Sequence, residues 1–111
     1  DFSKFQLTIG DLPLPENIKI EKRDKEVLFS WDFDKISSLG MPDDTAFVFI
    51  LYEADFPQLV NYFELGQRRE GKAVMDISEF DYTDKLYAYL YFRSYDSSMF
   101  SNSLFTEIEL K

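Results

Sequence analysis

The chain has no cysteine and no histidine among its 111 residues. Without cysteine there are no thiol nucleophiles, disulfide staples or thiolate-bound zinc. Without histidine there are no Ser-His-Asp triads, imidazole metal ligands or imidazole proton shuttles. Carboxylates remain as general bases, and no motif arranges them, so neither catalysis nor a cofactor is expected. Glycine and proline are scarce, four of each, which leaves no low-complexity tract, and no internal period recurs. No run approaches the ~20 apolar residues of a membrane helix, so membrane insertion is not expected. Positive charge is short as well: 12 Lys and Arg stand against 21 Asp and Glu, a net charge of -9. The richest basic cluster, Lys19, Lys22, Arg23 and Lys25, is interleaved with Glu16, Glu21, Asp24 and Glu26. Such a surface repels phosphate backbones, and nucleic acid is not an expected partner.

Aromatic side chains are abundant. Twelve Phe and seven Tyr lift the aromatic share to 18% and the hydrophobic share to 45%, far above a disordered composition. A chain of this length suits one domain with one core. The pattern is that of strands. FQLTI (Phe5 to Ile9) alternates, and GDLPLPEN turns it. IKIE and EVLFSW follow around the turn RDK, then a polar loop runs from Asp32 to Asp44. TAFVFILY (Thr45 to Tyr52) is continuously apolar and too short for a typical helix. LVNYFELG (Leu59 to Gly66) fits either a helical stripe or a strand, and its neighbours favour the strand. KAVMDI, LYAYLYF (Leu86 to Phe92) and LFTEIEL complete the series. About eight short strands with turns every 8–12 residues predict an antiparallel, immunoglobulin-like β-sandwich of about seven to eight strands. Residues 1–15 read as a lead-in strand and Pro-bearing turn, and residues 16–111 as the sandwich. Trp31 falls where such cores often hold their tryptophan.

EVLFSW, DDTAFVFILY, RREGKAVM and LYAYLYFRSYDSSMFSNSLFTEIEL, in that order, resemble the C-terminal half of an uncharacterised Bacteroidetes domain-of-unknown-function family. FSKFQLTIGDLPLP resembles that family's lead-in, so the likeness covers essentially the whole chain. Position by position the pattern falls on Trp31, Asp44, Arg69, Gly71, Tyr89, Phe92, Ser94 and Asp96, then on Ser101, Asn102 and Ser103. Phe105 stands where the family often has Tyr, and Glu107 where Gly is common. The resemblance implies a fibronectin type III-like fold and a bacterial source. It also implies that an N-terminal half precedes this piece, and the opening DFSKF suggests a processed or excised fragment. It brings no activity with it.

Three polar groupings invite a chemical reading. Asp32, Asp34, Asp43 and Asp44 bracket one loop, but their spacing matches no calcium motif, and a solvated loop with Asp44 capping a turn is expected. Glu53 and Asp55 pair carboxylates without a sign of a cleft between them. Asn102 is no glycosylation acceptor, because Leu104 stands where the sequon needs Ser or Thr; local hydrogen bonding is expected instead.

The strongest signal is two-faced. In LYAYLYF, Leu86, Ala88, Leu90 and Phe92 share one phase, and Tyr87, Tyr89 and Tyr91 the other. In TAFVFILY, Ala46, Val48, Ile50 and Tyr52 oppose Phe47, Phe49 and Leu51. With the first set of each strand in the core, Phe47, Phe49, Leu51, Tyr87, Tyr89 and Tyr91 form an outward aromatic wall. Half-covered, such a wall leaves roughly 400–600 Å² of apolar surface. The chain's own loops or a partner must cover it. The expected partner is protein: the preceding half of the molecule, a second copy or another chain. A glycan stacking on the Tyr ladder is the alternative.

Overall fold

The alternating segments form two antiparallel sheets in the computed structural model, which describes residues 10, 12–33, 41–52, 58–78 and 85–109. The strands are β1 (Lys19–Arg23), β2 (Glu26–Ser30), β3 (Thr45–Tyr52), β4 (Gln58–Gln67), β5 (Lys72–Asp76), β6 (Lys85–Arg93) and β7 (Leu104–Glu109). One sheet has the order β1-β2-β5 and the other β4-β3-β6-β7. The expected β-sandwich is therefore present, with seven strands among the described residues. The expected lead-in strand Phe5–Ile9 lies outside them. The ambiguous segment Leu59–Gly66 belongs to β4 and is extended, as its neighbours required.

The core follows from phase. Val27, Phe29, Trp31, Ala73, Met75 and Ile77 come from the β1-β2-β5 side. They meet Ala46, Val48, Ile50, Leu86, Ala88, Leu90, Phe92 and Ile108 of the other sheet. Side chains alternate across a strand, so each strand commits every second residue to this layer. Cross-strand neighbours couple large with small: Phe29 faces Ala73, Phe92 faces Ala46 and Ile50 faces Ala88. That pairing lets the two layers interdigitate at interior density. Leu12, from the Pro-bearing turn, is buried in the same core.

Two irregularities shape the edge strand β4. Gly66 faces Ala46 while Glu64 faces Phe47, so Leu65 is an extra residue; Val60 is extra in the same way between Asn61 and Leu59. Bulges twist an edge strand and blunt it as a template for further pairing. β1 is protected differently, by the charges of KIEKR. Its hairpin to β2 turns through Asp24 at φ 52, a left-handed conformation that Asp tolerates better than most residues.

A buried ion pair ties the two sheets together at one end. Arg68 follows β4 in a short 3-10 turn, Arg68–Glu70, and is fully buried. Its Nε lies 3.0 Å from Oδ2 of Asp44, which is also buried. Asp44 Oδ2 further accepts from the Met41 amide at 2.8 Å. The Arg68 guanidinium donates to the Pro13 carbonyl and lies 4.7 Å from the Phe92 ring centroid. The Arg68 carbonyl accepts from the Trp31 indole at 2.7 Å, and Trp31 meets Phe92 edge-on at 5.2 Å. Burial pushes the Arg68 guanidinium below its ordinary pKa, and Asp44 opposes that shift by charge and hydrogen bonding. Gly71 closes the turn at φ 71, and its carbonyl receives the Trp31 amide at 2.9 Å. The expectation of a solvated Asp44 is thus corrected: it caps its turn, but from inside the protein, because Arg68 supplies the charge that makes burial tolerable.

Removing one member of a buried pair strands the other charge, at a cost of about 3–5 kcal/mol. Arg68→Met and Asp44→Leu should each lower the denaturant midpoint accordingly, and the double variant should recover much of the loss. Additive losses in chemical denaturation would contradict the coupling. Trp31→Ala should cost ~3–5 kcal/mol through lost transfer and a cavity.

Candidate functional site

The face of β4-β3-β6-β7 that turns away from the core is aromatic from edge to edge. Register places Tyr62 beside Phe49, Phe47 beside Tyr91, Phe49 beside Tyr89 and Tyr89 beside Phe105. The rings touch in sequence. Phe47 and Tyr91 stack at 5.4 Å and 15°, and Phe49 and Tyr91 at 5.7 Å and 18°. Tyr62 leans on Phe49 at 5.4 Å and on Phe47 at 6.3 Å. Tyr91 reaches Phe100 at 6.2 Å. On the other side Phe105 packs against Tyr87 at 6.0 Å and Tyr89 at 5.4 Å. Such offset pairs stabilise beyond the area they bury.

The wall is not uniformly wet. Tyr89, Phe47 and Tyr91 are buried within this one chain, while Phe49, Leu51 and Tyr87 are half-buried. Exposed rings lie at its ends: Tyr62 is 57% exposed and Phe100 38%. The six residues selected from the sequence therefore make the body of the wall. Sequence reasoning missed Tyr62 and Phe100, its open ends. Tyr62 shares the phase of Glu64 on β4, a signal masked by the bulges. Phe100 sits in a Ser-rich connection that reads as a simple turn.

That connection, residues 94–103, is a rigid platform. Asp96 Oδ1 accepts from the Ser94 hydroxyl at 2.8 Å, the Ser98 amide at 3.0 Å and the Ser98 hydroxyl at 2.6 Å. Ser94 Oγ accepts from the Met99 amide at 3.0 Å, and the Ser94 amide donates to the Met99 carbonyl at 3.0 Å. Ser101 accepts from the Phe92 amide through Oγ and donates its own amide to the Phe92 carbonyl. This is the local hydrogen bonding expected for Ser101-Asn102-Ser103. The lead-in clamps the loop from outside: Leu12 N donates to the Phe100 carbonyl and Gly10 N to Asn102 Oδ1. A Cβ on Gly10 would meet the Phe100 carbonyl oxygen at 2.0 Å, so only glycine allows that approach. The loop holds three apolar side chains toward solvent: Tyr95 at 76% exposure, with Met99 and Phe100.

Arg93 ends β6 on the same face. Its guanidinium carbon lies 4.5 Å from the Phe47 ring centroid. Its Nε is buried without a hydrogen-bond acceptor, and no ion pair among the described residues engages it. At the far end Lys85 sits 3.1 Å from Glu107 and 3.8 Å from Glu109, which raise its pKa by hydrogen bonding and charge.

The remaining acidic groupings do not converge. Asp44 is committed to Arg68, Asp32 accepts from the Asn17 side chain, and Asp34, Glu53 and Asp55 lie outside the described residues. Among the described residues, no three acidic side chains gather at metal-binding distance, and no helix is long and apolar enough to cross a membrane. Comparisons with family models, curated proteins and solved structures find no match to the chain.

Two titrations probe the wall and the loop. Burial pushes the phenols of Tyr89 and Tyr91 above their ordinary value of 10.0. The folded chain therefore holds their protons more tightly than the unfolded chain does. The stability this confers is complete below pH 10 and declines as pH rises through the folded values. Absorbance titration should show a late-ionising class of tyrosines that vanishes in denaturant; one uniform class would contradict the burial. Hydrogen bonds from Ser98 and Ser94 hold the Asp96 carboxyl at about 2. Its contribution is present above its ordinary 3.8 and lost as pH falls through about 2. A carboxyl NMR midpoint near 3.8 would show that the loop is not closed in solution.

Proposed function

We propose that this chain is a non-catalytic β-sandwich module that docks a protein partner on its outer aromatic face. The observation that carries the reading is the unbroken line of ring contacts from Tyr62 through Phe47, Phe49 and Tyr91 to Phe100, exposed at both ends. The body of the wall is largely buried within the chain, and the apolar surface it offers is Tyr62 at one end and Phe100 with Met99 and Tyr95 at the other. Exposed apolar patches on small domains are often functional, and aromatics, Met and Arg are the residues enriched at the centres of protein interfaces. The hydrogen-bonded loop supports it further, because groups fixed in place lose little conformational entropy when they bind. The lack of His and Cys favours binding over catalysis.

A second reading, a carbohydrate stacking on the face, is favoured by the open ring of Tyr62. As to fold type, β4 pairs with β3 and not with the sheet of β1, β2 and β5. A constant-type immunoglobulin domain places its fourth strand in the latter sheet. This order favours the fibronectin type III-like reading.

A photo-crosslinking residue at position 62 or 100 should capture a protein from the native cell extract. The same residue at Val74, exposed on the other sheet, should capture none. Phe100→Glu with the crosslinker at 62, or Tyr62→Glu with it at 100, should abolish capture while circular dichroism stays unchanged. Equal labelling from all three positions would overturn the docking face. Saturable heat with a neutral oligosaccharide, lost in Tyr62→Ala, would favour the glycan.

A further inference from the structure

We propose that Arg93 is the recognition centre of this face, and that the partner is a protein segment presenting a carboxylate beside apolar side chains. The inference rests on the docking role of the aromatic face and adds the chemistry of what docks there. Arginine in an acidic chain ordinarily has a carboxylate close by. Here no ion pair among the described residues includes Arg93, although Glu64 lies across the strand pairing from Phe47, and the guanidinium lies instead on the Phe47 ring. The Phe47 ring holds the guanidinium carbon 4.5 Å from its centroid, and the burial of Nε without an acceptor means part of the desolvation cost is already met within the fold. The side chain is only half-buried, so its terminal donors remain the route to an outside group. A guanidinium is planar and offers a carboxylate two parallel hydrogen bonds along one edge. Lysine cannot reproduce that geometry.

The surroundings define the rest of the segment. Phe100 is bridged to Arg93 across the strand pairing and contacts Tyr91, while Tyr62 leans on Phe47 from the opposite side. An acid reaching Arg93 thus brings its flanking residues onto two exposed rings, which favours apolar flanks. Excluding water from the Arg–carboxylate contact strengthens it. Charge complementarity is local: the chain as a whole is strongly acidic, and of the two β6 cations on this face Lys85 is paired with Glu107 and Glu109 while Arg93 makes no ion pair among the described residues.

The test uses two capped peptides, one with glutamate between two leucines and one with glutamine in its place, titrated into the isotope-labelled chain by NMR. The glutamate peptide should shift the resonances of Phe47, Tyr91 and Arg93 saturably. The glutamine peptide should bind about tenfold more weakly, as one charge-assisted contact requires. Arg93→Gln should make the two peptides alike, and Arg93→Lys should recover little. Equal affinities, or an unaffected Arg93→Gln variant, would overturn the carboxylate while leaving the aromatic face as an interface. Absence of shifts from the glutamate peptide would overturn the inference outright, and saturable shifts confined to the β1-β2-β5 sheet would count against the face itself. A concentration-dependent dimer in sedimentation, lost in both Arg93→Gln and Glu64→Gln, would put the acid on a second copy. Preference for a uronic acid oligosaccharide over the glutamate peptide would put it on a glycan. Either result would overturn the heterologous protein partner.

Discussion

The Arg68–Asp44 pair is the constraint on which the rest of the sandwich depends. Five segments meet at it: the lead-in through Pro13, the end of β2 through Trp31, the approach to β3 through Asp44, the turn after β4, and β6 through Phe92. A bare charge in this position would be prohibitive, so none of those segments can move away without exposing a penalty far larger than a lost apolar contact. Its net contribution to stability is modest; its contribution to uniqueness is not. A sandwich of Leu, Ile, Val and Phe tolerates sliding between its layers, whereas a guanidinium with one carboxylate, one carbonyl and one ring beneath it has a single arrangement. The backbone reinforces it: Arg68 N donates to Asp44 O at 2.7 Å and Arg69 N to Pro42 O at 3.1 Å.

The same end of the molecule carries the site. Phe92 touches Arg68 and Trp31 on the inner face, and its neighbours Tyr91 and Arg93 touch Phe47 on the outer one. One stretch of β6 therefore contributes alternate residues to the buried pair on one face and to the aromatic wall on the other. The loop that follows inherits that position and closes on itself through Asp96 and Ser94. On the docking reading proposed above, the surface is assembled before a partner arrives.

Most of the fold was legible because apolar residues recur at period two where one face is buried. Val27, Phe29 and Trp31 show it, as do Ala73, Met75 and Ile77, although Leu28 and Val74 are apolar in the other phase. The register found for β3 against β6 matches the phases read from TAFVFILY and LYAYLYF. The continuous apolarity of those two strands also disclosed the wall. What stayed hidden has a common cause: it depends on residues distant in sequence whose type suggests the opposite environment. RRE in a turn reads as solvated, and only the fold shows that Arg68 turns inward to an aspartate that itself looked like loop surface. Arg93 was hidden likewise, because a charged residue ending a strand ordinarily marks the return to water. Tyr62 escaped because two bulges shift the phase of β4, and a bulge leaves no mark in composition.

Net charge and local charge pull in different directions at this face. With -9 overall, any acidic partner is repelled at long range, yet at physiological ionic strength that repulsion decays within about 8 Å. A guanidinium held against a ring acts at contact, where screening by salt is weak. The two effects therefore divide the work. The acidic surface slows encounters and disfavours loose association, including that between copies of the chain. On the proposed docking reading, the aromatic and cationic groups hold in register what does arrive. Discrimination of that kind rests on the few groups already fixed in place, which is why the hydrogen-bonded loop and the ring ladder matter more here than the area they expose.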